Sequence, residues 1–219
     1  MNPLDVLRDS LYFFRRNLAG IAQLCLPLLV LEALASQVVQ HSIGPDASPM
    51  YDIAVGLLFY PLYTGALILF LDARSQGLQP LKRNLLAATL QMWPFFAVLA
   101  ATSTLLIMLG LSLFILPGVY VMIRLVFAEY LLVLRGLTPM AAMRDSFQLT
   151  QGHLLPIAAC VFGSLVPLWA IDLASNTVWP DPSHWQMLLL DSLNGFLQLF
   201  TSVVVYRLYM LRVGKTGQA

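Results

Sequence analysis

Charge is what this sequence has least of. Its 12 Lys+Arg and 11 Asp+Glu make up 11% of 219 residues, less than half the roughly 25% of a typical soluble domain. A water-facing surface with roughly 25–35% charged residues is therefore out of reach. The basic residues form no run that could track a phosphate backbone, which argues against nucleic acid as a partner. Cysteine is almost absent. Cys25 and Cys160 both lie in apolar runs, form neither a disulfide framework nor a metal-ligand spacing, and read as small buried hydrophobes. The three histidines are scattered. His41 and His184 have no enforced geometry for a metal, and His153 reads as a helix-end residue. No glycine-rich phosphate loop, HExxH, GxSxG or CxxC occurs, and the acids do not cluster. The expectation is a chain without catalytic residues, cofactor or metal. A cleavable leader is not expected either. MNPLDVLRDSLYFFRRN is amphipathic with two aspartates, and the apolar run after it is long for a signal peptide and lacks a small-x-small site.

Apolar residues supply 59% of the chain, and mean hydropathy is +0.78. Six runs approach the roughly 20 residues a membrane helix needs: Leu18–Val39, Ile53–Leu71, Met92–Leu116, Val119–Leu134, Leu154–Ile171 and Met187–Tyr206. They are continuous and about twice as long as the roughly 10-residue alternating strands of a membrane barrel. Eleven of the 12 basic residues fall before the first run, between the second and third, between the fourth and fifth, or after the sixth. The alternate loops hold Asp46, Asp52, Asp172 and Asp181 and no Lys or Arg. This positive-inside pattern predicts six spans with both termini in the cytoplasm. The fold class expected is an all-α polytopic membrane protein, one domain over 1–219, in a bacterial inner membrane.

The chain also reads as three copies of one unit, over 2–76, 77–135 and 136–219. Gly77-Leu78-Gln79-Pro80 resembles Gly136-Leu137-Thr138-Pro139, and the first unit starts at Asn2-Pro3. Each proline suits a helix start. Arg8-Asp9-Ser10 and Arg144-Asp145-Ser146 stand at the same offset from Pro3 and Pro139, while PLKRNLLAATLQ after Pro80 matches more loosely. Stripes of Leu4, Leu7, Leu11 and Phe14, and of Met140, Met143 and Phe147, predict short interfacial helices on the cytoplasmic face, each followed by two spans. Because all units share one orientation, the inverted repeats of many transporters are not expected.

Within the membrane, Arg124 stands out. It lies six residues past Gly118, about 9 Å along a helix, and a charge at that depth needs a partner, hydration or a route to the interface. Glu129, five residues on, points about 140° away on a straight helix. The expected partner is therefore Glu32 on another span, with Asp191 second and Glu129 reserved for Arg144. A network of Arg124, Glu32, Glu129 and Asp191 reads either as structural glue or as a substrate path. Pro27, Pro61, Pro94, Pro156 and Pro167 predict kinks that could open a cavity. Leu116-Pro117-Gly118 predicts a tight hairpin between spans three and four. Gly56 and Gly65 permit close helix approach without a GxxxG motif, and Trp179 and Trp185 suit the outer interface.

The stretch LPGVYVMIRL over 116–125, followed by Gly136–Pro139, Arg144-Asp145-Ser146 and Gly152-His153, resembles the YciC-like family of bacterial inner-membrane proteins. The resemblance implies location and a six-span layout over almost the whole chain, and carries no active site. Similar helical regions occur beside the catalytic domain of some glycerophosphodiester phosphodiesterases. That domain is missing here, so the activity does not transfer. Two readings remain open. One is a non-enzymatic protein of envelope organisation, a partner of another inner-membrane protein. The other is a transporter or channel for a lipid-like or small solute, with a cavity near Arg124. Membrane lipids are expected partners in both.

Overall fold

The structure is a computed structural model that describes residues 2–43, 50–178 and 184–216. Eight helices account for it: α1 Pro3–Ile43, α2 Met50–Ser75, α3 Lys82–Leu113, α4 Ile115–Leu125, α5 Ala128–Arg135, α6 Pro139–Leu149, α7 Leu154–Val178 and α8 His184–Thr216. Among the described residues, six segments are long and apolar enough to cross a membrane, with α4 and α5 together making the fourth. No more than 44% of the most apolar window of any span is buried. Leu105, Leu109, Leu155 and Leu189 point outward. A bundle with this much apolar surface outside its core is built for hydrocarbon, where helices satisfy their own backbone groups. Residues 44–49 and 179–183 lie outside the described residues, and with them Asp46, Asp181 and Trp179.

Two of the expected interfacial helices are not separate elements. α1 runs unbroken for 41 residues, about 60 Å, because nothing between Pro3 and Leu18 breaks a helix. α3 likewise continues from Lys82 through its span. Only the third segment stands alone as α6. There Thr150-Gln151-Gly152 turns the chain, and Gly152 adopts φ 75°, which a residue with a side chain rarely does. The predicted apolar stripes are divided, with Phe14 and Met143 buried against the bundle. Leu4, Leu11, Met140 and Phe147 are exposed, while Val6, Ser10 and Phe14 in α1, Ala142 and Ser146 in α6 and Thr150 just after it are buried. Counted from the two Arg-Asp-Ser triplets, these buried positions coincide. The turns after α2 and α5 also agree, with Gly77 at φ 79° and Gly136 at φ 63°.

α1 packs between α2 and α8, antiparallel to both. Gly20 lies against Phe70 and Gly195 against Leu29, and Phe14 packs on the rings of Phe196 and Phe200. Cys25 and Cys160 are buried free thiols, near the carbonyls of Tyr63 and Pro3. Gly65 lets α3 approach, with Thr89 and Phe96 filling the space. Pro27, Pro61, Pro94 and Pro167 sit inside helices that continue through them. The α3–α4 hairpin turns at Phe114, two residues before the expected position. Pro117 fits the first turn of α4, where its missing N–H costs nothing. Below the turn Gly110 and Gly118 meet backbone to backbone, since a Cβ on Gly110 would lie 2.7 Å from Gly118 Cα. α5 then enters the core between α2, α3 and α6, placing Leu131 and Leu132, with Phe127 just before it, out of reach of solvent.

The basic helix ends converge at one end of the bundle. Arg74 Nε donates to Asn17 Oδ1 at 2.9 Å, Arg207 pairs with Asp9 at 3.2 Å, and Lys82 donates to Gln23.

Candidate functional site

Span four is not one helix. α4 ends at Leu125 and α5 starts at Ala128, with Phe127 at φ −96°, ψ −3° between them. No glycine or proline marks the break. It is held from outside: the Ser146 hydroxyl donates to the Arg124 carbonyl at 2.6 Å and accepts the Phe127 N–H at 3.2 Å. One side chain thus satisfies two backbone groups that a break inside apolar surroundings would otherwise strand.

The Arg124 side chain returns the support. Its Nη1 donates to the Phe147 carbonyl at 2.9 Å and to Thr150 Oγ1 at 3.3 Å, and its Nε donates to the Tyr120 hydroxyl at 3.0 Å. Its guanidinium also lies over the Tyr120 and Phe147 rings, 5.0 and 5.8 Å from their centroids. Phe147 and Thr150 form the C-terminal end of α6, where unpaired carbonyls and the helix dipole favour a cation. Arg212 of α8 reaches the same end, donating from Nε and Nη2 to the Leu149 carbonyl at 3.1 and 2.9 Å. Two arginines from different helices therefore clamp one helix terminus. The expected ion pair of Arg124 with Glu32 or Asp191 is not among the described contacts. The count from Gly118 to Arg124 runs within unbroken α4, and what it leaves out is the end of α6 packed beside that helix.

Glu32 and Glu129 come together elsewhere. With Tyr60, Gly56, Ser103 and Thr104 they line a cleft of about 380 Å³ between α1, α2, α3 and α5. The Tyr60 hydroxyl donates to Glu129 Oε1 at 2.7 Å. Tyr63 lies within electrostatic reach of both carboxylates. The two tyrosine rings meet edge-on at 5.7 Å. A second cleft of about 210 Å³ shares Tyr60, Ser103 and Glu129 and extends to Tyr130 and Thr201. Glu129 is thus answered by Tyr60, while Arg144, its expected partner, is exposed on α6. Asp191 takes no part. It sits on α8 beside Asp172, whose Oδ1 accepts the Asn194 amide at 2.7 Å. Sequence reasoning missed Tyr60, Tyr63 and Ser146. The tyrosines were legible as a polar pair three residues apart in a span without charge. Ser146 lies on an element the fold alone brings to the break. Among the described residues, no three His, Cys, Asp or Glu side chains group as a metal site.

A break braced from a neighbouring helix and a carboxylate cleft inside an apolar bundle mark a multi-pass membrane protein with a polar interior. The chain belongs to UPF0259, an uncharacterised protein family, whose pattern it matches over residues 50–211, in agreement with the resemblance drawn from its motifs. It is 25% identical to the UPF0259 membrane protein SG1383 of Sodalis glossinidius, over 93% of this chain and 95% of that one. It is 31% identical to a UPF0259 membrane protein of Yersinia pestis (strain Pestoides F), over 68% of this chain and 59% of that one. No solved structure matches it.

Proposed function

We propose that this protein binds, and passes or presents, a small amine-bearing or cationic amphiphile in the cleft between Glu32 and Glu129. One observation carries the reading: two carboxylates from different helices line one cavity inside an apolar bundle, and one of them, Glu129, accepts a hydrogen bond from Tyr60. Ionisable groups within a membrane are costly and mark binding paths. Carboxylates with tyrosine faces favour an ammonium by charge and by cation–π attraction, and the apolar walls of α2 and α3 suit an alkyl tail. This places solute handling at the glutamates and leaves Arg124 as a clamp. The same proposal takes the basic end as cytoplasmic, from the distribution of Lys and Arg, in a bacterial inner membrane. It also takes the coincident burial of the two Arg-Asp-Ser segments as the trace of a threefold repeat.

The test is saturable binding of ethidium, tetraphenylphosphonium and dodecylamine by the full chain in nanodiscs. Glu129→Gln and Glu32→Gln should each weaken binding about tenfold, and Ser103→Trp should block the cleft with both acids in place. No saturable binding of any probe, or equal binding by all variants, refutes the reading. A second reading, an organising partner of another inner-membrane protein, is favoured by Arg124 being spent wholly on internal contacts. A stoichiometric protein retained through mild detergent extraction would support it.

A further inference from the structure

Another cavity, independent of the glutamate cleft, opens at the basic end between α1, α2 and α8. It measures about 540 Å³, within the roughly 300–1,000 Å³ of small-ligand sites. Its walls are divided. Phe13, Val203 and Met210 supply apolar surface, while Asp9, Ser10, Ser75, Gln76, Tyr206 and Arg207 bring polar groups. Asp9 and Arg207 stand 3.2 Å apart with their side chains 56% and 49% exposed, so each keeps capacity for another partner. Tyr206 and Gln76 both donate to the Asp72 carboxylate, at 3.2 and 2.8 Å, and Ser75 bonds Tyr206 at 2.8 Å. That cluster is internally satisfied.

Ser10 is not. It is 1% exposed, lines this cavity, and its hydroxyl has no hydrogen-bond partner. A buried hydroxyl left unpaired is uncommon and needs a reason. The comparison within the chain sharpens the point. Ser146 closes the same Arg-Asp-Ser triplet at the same buried position of α6, and its hydroxyl is fully used on Arg124 and Phe127. In α1 no broken helix faces the serine, and a cavity with an ion pair at its rim takes that place.

The geometry points to a binding site for a phosphoethanolamine group, a phosphate joined to a primary ammonium. Arg207 and the Ser10 hydroxyl would take the phosphate, and Asp9 would take the ammonium. A zwitterion matches the pair because it answers both charges at once. An anionic head group would leave Asp9 facing like charge, and a quaternary ammonium offers Asp9 no N–H donor. The position at the basic helix ends, with an apolar wall, suits a lipid whose tails run along α1 and α8.

The experiment is native mass spectrometry of the full chain from mixed micelles holding equal phosphatidylethanolamine, phosphatidylcholine and phosphatidylglycerol. Phosphatidylethanolamine should be retained preferentially. Ser10→Ala, Asp9→Asn and Arg207→Gln should each lower that retention about tenfold. Ser10→Ala also keeps the test valid if the charge variants fold poorly. It removes an unpaired buried hydroxyl, so the lipid-free protein should melt no lower than wild type while binding less. Soluble O-phosphoethanolamine competing as well as the lipid would assign the site to a free solute; competition by the lipid alone would assign it to the membrane. Equal retention of all three lipids, or unchanged retention in Ser10→Ala, overturns the proposal.

Discussion

Replacing Arg124 by leucine separates two effects that a charge in a membrane helix usually confounds. The side chain donates to the Phe147 carbonyl, Thr150 Oγ1 and the Tyr120 hydroxyl at 2.9, 3.3 and 3.0 Å. Interhelical hydrogen bonds in membranes contribute on average about 0.6 kcal/mol, rising to about 1.7, and the cation–π contacts about 0.5–1. Together the clamp contributes about 3 kcal/mol. At about 2–4 °C per kcal/mol for a chain of this size, Arg124→Leu should melt roughly 6–12 °C lower in detergent. Membrane insertion should move the other way. Arginine at a helix centre costs about 2.5–3.5 kcal/mol on insertion, whereas leucine is favourable, so the variant should reach the membrane at least as well. Hydrogen exchange should localise the loss to 139–150, because the clamp holds the end of α6. A melting temperature equal to or above wild type, with unchanged exchange over α6, would refute the clamp.

Two further predictions follow from close approach and from orientation. Gly110→Ala should destabilise the α3–α4 hairpin by about 1–3 kcal/mol, because its Cβ would lie 2.7 Å from the Gly118 backbone. Gly56→Ala, with its Cβ at an ordinary 3.7 Å from Glu32, should melt as wild type does; equal melting of both variants would reject the hairpin contact. Because Cys25 and Cys160 are buried, single cysteines report topology with little background. A membrane-impermeant maleimide on spheroplasts should label Trp185→Cys and spare Gln79→Cys, and the opposite pattern would invert the proposed orientation.

The six spans were legible because their driving force is local. Each run must be apolar and long enough on its own, and the Lys/Arg asymmetry needs no tertiary contact to be read. The GLxP turns were legible for the same reason, since Gly77 and Gly136 adopt a backbone conformation that few residues tolerate. The partners of Arg124 were not. Its depth was counted within α4, and nothing local to α4 records that the C-terminal end of α6 packs beside it. Which face of the Arg-Asp-Ser segments meets the bundle was not legible for a related reason. Leu4 and Leu11 are apolar, but a bilayer accepts apolar residues on the outside, so hydrophobicity does not say which face is buried.

Sequence by itself therefore determined that this chain is helical, that hydrocarbon is its solvent, and which residues are costly there. Tertiary structure decided how those residues are answered. Glu129 met Tyr60, Arg124 met the end of α6, and Ser146 repaired a broken helix. In lipid the apolar majority is nearly indifferent to which helix it touches. The choice then falls to a few polar groups, each of which must find a partner on an element distant in the chain, and no local pattern records where that partner is.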